Sequence, residues 1–95
     1  LDDGEAAHLV SGRMLDYIEM EKGGFTIVKM RPPAELHGFT IGESKIRSRY
    51  GITVFGLMSP GEPFEYATAE TLVSAEDVLV VGGDATLLER FANRA

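Results

Sequence analysis

The sequence predicts an α+β fold: a small mixed or antiparallel β-sheet covered by helices, preceded by an N-terminal helix. Three observations carry this. Residues 25–30, 52–58 and 77–82 are strand-length runs rich in β-branched and aromatic side chains and bounded by Gly or Pro. Thr40 with Glu43 three positions on is a capping-box signature that opens a short helix. Gly83-Asp84 precedes a final segment, 85–93, that puts Leu87, Leu88 and Phe91 on one helical face.

In order along the chain, residues 3–20 place Ala7, Val10, Met14 and Tyr17/Ile18 at helical spacing, with Asp2, Asp3 and Glu5 at the favourable start of a helix dipole. Glu21-Lys22-Gly23-Gly24 reads as a stop and a hinge. Residues 25–30 form a strand ended by Arg31-Pro32-Pro33, because proline cannot donate to a ladder. A loop over 34–39 leads into the helix capped by Thr40 and closed by Gly51, the residue suited to a left-handed C-terminal position. Residues 52–58 read as a central strand, Ser59-Pro60-Gly61-Glu62 as a tight turn and 63–66 as the returning strand. A short extended piece at 71–73 precedes 77–82, the most hydrophobic strand and the expected sheet centre.

Ninety-five residues suffice for one small domain with a modest core, so self-association is an expected source of stability. The chain opens on Leu1 rather than Met, which reads as a segment of a longer protein. No apolar run approaches the ~20 residues that span a bilayer, so direct membrane insertion is not expected. The lack of cysteine excludes a disulfide framework and suits a reducing compartment, and a cytoplasmic location follows as the expectation. A net charge of −6 argues against nucleic acid as a partner. That charge is unevenly spread. Between Lys29 and Tyr50 lie five basic residues and two acidic ones, a positive island able to focus a small anion.

Catalytic chemistry finds little support. His8 and His37 have no nucleophile or metal-spaced partner near them in sequence, so neither a catalytic residue nor a metal ligand is assigned and the chain is not read as an enzyme. Glu62, Glu65, Glu70, Glu76 and Asp77 lack calcium-loop spacing and read as a solvated acidic rim. Val81-Gly82-Gly83-Asp84 lacks the dinucleotide-binding fingerprint and reads as a helix N-cap. The unit 42–53 is the better candidate. Ile46 and Tyr50 share a face that should be buried, Lys45 and Arg49 form another i,i+4 pair, and Arg47, Ser48 and Thr53 offer a guanidinium and hydroxyls to a phosphate.

These residues also carry a resemblance. Phe25-Thr26-Ile27-Val28, then Gly38-x-Thr40-Ile41-Gly42-Glu43-Ser44-x-Ile46-Arg47-x-x-Tyr50-Gly51-Ile52-Thr53-Val54, then Pro60-Gly61-Glu62, Thr71-Leu72-Val73 and Asp77-Val78-Leu79-Val80-Val81-Gly82 occur in an order and spacing similar to the C-terminal domain of RCK proteins, the TrkA-C module. The resemblance spans residues 23–95 and implies a TrkA-C-like regulatory domain there. Residues 1–22 resemble the helices that link such a module, and help it dimerise, to an N-terminal Rossmann-like domain.

The resemblance implies a non-enzymatic homodimer that regulates a potassium or other cation channel or transporter. In some members the dimer interface binds cyclic di-AMP. Carried onto this chain, that pocket would draw on Ile41, Lys45, Ile46, Arg47, Ser48 and Thr53 of each subunit. Three positions depart from the pattern: Thr53 stands where such binders often have Asn, Ala69 where Pro is frequent, and Glu76 where Gly usually precedes the Asp. The alternative expectation is a ligand-independent oligomerisation module of the same kind of transport system.

Overall fold

A computed structural model describes residues 12–94. Five strands form one sheet: β1 (Met14–Glu19), β2 (Phe25–Met30), β3 (Thr53–Met58), β4 (Glu65–Tyr66) and β5 (Val78–Asp84). Their spatial order is β1-β2-β5-β3-β4 and every pairing is antiparallel, so the sheet is antiparallel rather than mixed. The most hydrophobic strand, β5, sits at its centre as its composition predicts. The run at 52–58 supplies β3, one place from the edge.

Met14–Glu19 is a strand and not part of a helix, which corrects the reading of residues 3–20. Residues 1–11 of the expected linking-helix region, 1–22, lie outside the described residues. The apolar positions Met14, Tyr17 and Ile18 fit a helical spacing, but Tyr and Ile also favour strands, and the free edge of β2 settles the choice. Glu21-Lys22-Gly23-Gly24 is accordingly a hairpin turn: Gly23 takes φ 73°, and the backbone N–H groups of Met20 and Glu21 both donate to the Phe25 carbonyl. Hydrogen bonds that a helix would keep internal are made across the ladder instead.

Alternation sorts β2 and β5 into two faces. Val28, Met30, Leu79 and Val81 point to the core, where they meet Leu88, Phe91 and Ala92 of the terminal helix α3 (Ala85–Ala92), together with Leu36, Ile46, Ile52, Leu57 and Val73. Each large apolar side chain so buried contributes about 1.5–3 kcal/mol. Asp84 caps α3 by accepting from the Thr86 N–H at 3.0 Å, the role assigned to Gly83-Asp84. On the opposite face, Phe55 and Phe25 converge over Gly82: a Cβ there would lie 2.6 Å from the Phe55 ring and 3.0 Å from that of Phe25. Phe55 reaches this position through a β-bulge between Val54 and Gly56.

The connection from β2 to β3 holds a 3₁₀ turn (Ala34–Leu36) and two short helices, α1 (Ile41–Ser44) and α2 (Ile46–Tyr50). The capping box is present in full. Thr40 Oγ1 accepts from the Glu43 N–H at 3.1 Å and the Glu43 carboxylate accepts from the Thr40 N–H at 2.8 Å. Gly51 terminates α2 at φ 74°, as expected. The continuous helix anticipated between these caps is broken at Lys45, which adopts a left-handed conformation at φ 49°. Segment 71–73 is extended as read: Thr40 bridges Leu72, and the Val73 N–H donates to the Phe39 carbonyl at 3.0 Å.

Candidate functional site

The break at Lys45 shapes the site. Because α1 and α2 are not collinear, their junction and the start of β3 enclose an open concavity of about 610 Å³. Ile41, Lys45, Ile46, Arg47, Ser48 and Thr53, the six residues singled out from the sequence, all line it. Gly42, Ile52 and Val54 complete that side, and Ala67, Thr68 and Ala69 form the facing wall.

This wall is held against α1 by backbone hydrogen bonds. The Gly42 N–H donates to the Ala69 carbonyl at 2.9 Å and the Ile41 N–H to the Thr71 carbonyl at 2.8 Å. The 67–71 segment is itself braced, with the Thr68 N–H donating to Thr71 Oγ1 at 2.9 Å. The sequence offers one signal for this wall: Ala67-Thr68-Ala69 is a run of small side chains after the aromatic Tyr66, as a close backbone approach requires.

Lining atoms are mostly apolar, from Ile41, Ile46, Ile52, Val54 and the two alanines. Polarity enters at the rim. Lys45 and Arg47 are exposed, and among the described residues neither side chain has an acidic partner. Ser48 Oγ donates to the Lys45 carbonyl at 3.3 Å, and Thr53, half-buried, opens β3 opposite Gly82. The site thus combines an apolar floor with two unneutralised cations and two hydroxyls, which suits a ligand with a flat apolar part and an anionic group.

The expected i,i+4 pair of Lys45 and Arg49 does not form within one helix, because Lys45 is the left-handed N-cap of α2. Arg49 faces away from the concavity instead. Its guanidinium lies 3.8 Å from Glu35 and over the Tyr50 ring at 5.0 Å. Ile46 is buried as predicted, and Tyr50 is partly buried, packed 5.0 Å from Phe91.

Elsewhere the titratable groups take structural positions. The His37 ring places Nε2 3.0 Å from the Pro32 carbonyl, and His8 lies outside the described residues. Asp77 is buried and accepts from the Ser59 hydroxyl and the Ser74 N–H, each at 2.9 Å, so it pins two turns together rather than joining an acidic rim. Among the described residues no group of three or more His, Asp or Glu side chains is placed to hold a metal ion. No helix among them is long and apolar enough to cross a membrane.

No protein-family model matches the sequence. Over 89 residues, 94% of its length, the chain is 30% identical to Ktr system potassium uptake protein C of Bacillus subtilis (strain 168), and it spans 40% of that protein's length. Among solved structures it superposes on the GsuK RCK domain with a TM-score of 0.66 at 26% identity, covering 97% of this chain and 21% of that one. A second match, the GsuK channel bound to NAD, has a TM-score of 0.70 at 25% identity over 97% of this chain and 18% of that one. Sequence and fold agree with the resemblance read from the ordered motifs and support an RCK C-terminal domain of the type found in regulators of potassium transport.

Proposed function

We propose that this domain is a non-enzymatic regulatory module of a potassium or other cation transport system, and that it senses a small anionic ligand in the concavity between α1, α2 and the 67–69 wall. The observation that carries the reading is the placement of Lys45 and Arg47, two cations without acidic partners among the described residues, at the rim of an apolar recess. Ligands act on such a module only through a difference in affinity between two arrangements. In a homodimer paired across these recesses, the two-fold axis would double both cations and match a symmetric dianion such as cyclic di-AMP. An empty site would be opened by charge repulsion and a filled one closed.

In this reading the domain is cytoplasmic, follows a Rossmann-like domain and acts on a membrane channel or transporter. Support comes from the likeness to a potassium uptake protein and to a channel solved with NAD bound. Calorimetric titration with cyclic di-AMP, and in parallel with NAD, ATP and AMP, tests the ligand. Saturation at one cyclic di-AMP per two chains is expected, weakened in Arg47→Ala by ~1.5–3 kcal/mol, the worth of a charge-assisted hydrogen bond. A dimer that gives no heat with any of the four would instead make this a ligand-independent oligomerisation module.

A further inference from the structure

Helix α2 carries Ile46, Arg47 and Ser48 to the concavity, yet it has only five residues, and its N-cap, Lys45, supplies no side-chain cap. A helix this short does not hold itself together in water. Its orientation must therefore come from packing: Ile46 is anchored in the core, and a second anchor lies on the other face. There the Glu35 carboxylate, on the separate 3₁₀ turn, accepts from the Tyr50 hydroxyl and from Arg94 Nε at 3.0 Å, with Arg49 3.8 Å away. The guanidinium carbons of Arg49 and Arg94 lie 5.0 and 5.1 Å from the centre of the Tyr50 ring. One carboxylate thus ties α2, the 3₁₀ turn and the segment after α3 into a single network. Its side chain is 28% exposed, so the ion pairs are partly screened, and the shared acceptor matters more than either pair alone.

We propose that Glu35 is a positioning residue for Arg47: by clasping Tyr50, Arg49 and Arg94 it fixes the rotation of α2 and so holds Arg47 at the rim of the recess. The ligand consequence rests on the anion-sensing reading above, but the clasp itself does not. The test uses the full 95-residue chain and two variants, Glu35→Gln, which removes the charge at constant size, and Tyr50→Phe, which removes only the hydroxyl.

Amide hydrogen exchange is read at Arg49 and Gly51, whose N–H groups close α2 on the Lys45 and Arg47 carbonyls at 2.9 Å each. Both variants should accelerate exchange there by about 10-fold beyond any change in β5. Acceleration equal to that in β5 would overturn the proposal, because it would mark a general loss of stability. If Glu35→Gln fails to fold, Tyr50→Phe decides alone by the same comparison.

In the second arm, cyclic di-AMP affinity should fall about 3–10-fold in Glu35→Gln, with no further fall when Glu35→Gln is added to Arg47→Ala. Additive losses would overturn action through Arg47. A wild-type chain that binds no cyclic di-AMP would sink that ligand and leave the clasp to the exchange result.

Discussion

Gly42 sits so close to Ala69 that a Cβ on it would lie 3.0 Å from the Ala69 carbonyl oxygen and 3.1 Å from the Ala69 Cβ. The same carbonyl accepts the Gly42 N–H. The two sides of the recess are therefore in backbone contact, and any side chain at position 42 acts as a wedge between them. Gly42→Ala should destabilise the domain: overpacking costs about 1–3 kcal/mol, and the roughly 1 kcal/mol gained in helix propensity offsets only part of it. A lower melting temperature is expected, with weaker anion binding from a widened recess.

Lys45 should separate stability from binding. A left-handed conformation costs a residue with a side chain about 1 kcal/mol relative to Gly. Lys45→Gly is expected to relieve that strain, keep the α1–α2 break and raise the denaturation midpoint modestly. It also removes a rim cation, so the same variant should bind cyclic di-AMP more weakly. A loss of stability in Lys45→Gly would show that the lysine side chain makes a contribution larger than the backbone strain.

Gly56 and Gly82 both lie beneath aromatic rings, but they should not respond alike. A Cβ at Gly56 would meet the Glu65 carbonyl oxygen at 2.3 Å and the Phe64 ring at 2.4 Å, and backbone cannot swing aside. Gly56→Ala should break the β3–β4 pairing, read as loss of protection at Ala67, whose N–H donates to the Phe55 carbonyl at 3.0 Å. At Gly82 the obstruction is the edges of the Phe55 and Phe25 rings, which can rotate, so Gly82→Ala should lower stability less and leave strand pairing intact.

Asp77 joins Ser59 and the Ser74 N–H through one buried carboxylate. In Asp77→Ala both donors lose their acceptor, for an expected cost of about 1–3 kcal/mol by urea denaturation. Asp77→Asn keeps an acceptor for one of them and should cost less. Because neither Asp77 nor its partners Ser59 and Ser74 line the recess, anion affinity per folded molecule should be unchanged in either variant.

What could be read from the sequence was local. The Thr40–Glu43 box, the Gly51 stop, the Asp84 cap and the apolar run of β5 are each specified within a few residues, and each is present. The six candidate site residues lie within thirteen consecutive positions, so they were legible together as one unit. The rest depends on partners distant in the chain. β1 is a strand because β2 offers an edge, the 67–69 wall is recognised only once it packs on Gly42, and Glu35 meets Arg94 across 59 positions. The Lys45 break also escaped the pattern, since lysine is an ordinary helix former and carries no mark of a left-handed backbone.

The central place of β5 also sets an order of events during synthesis. Its neighbours β2 and β3 are joined in the sheet only through it, yet β5 begins at Val78 and so emerges from the ribosome after both. Until then the β1–β2 hairpin and β3 must wait as separate fragments with unpaired edges, and closure of the sheet is a late, long-range step. Nascent chains of this domain should depend on chaperones during that interval, and slowing translation after β3 has emerged and before β5 has should lengthen their exposure to misassembly.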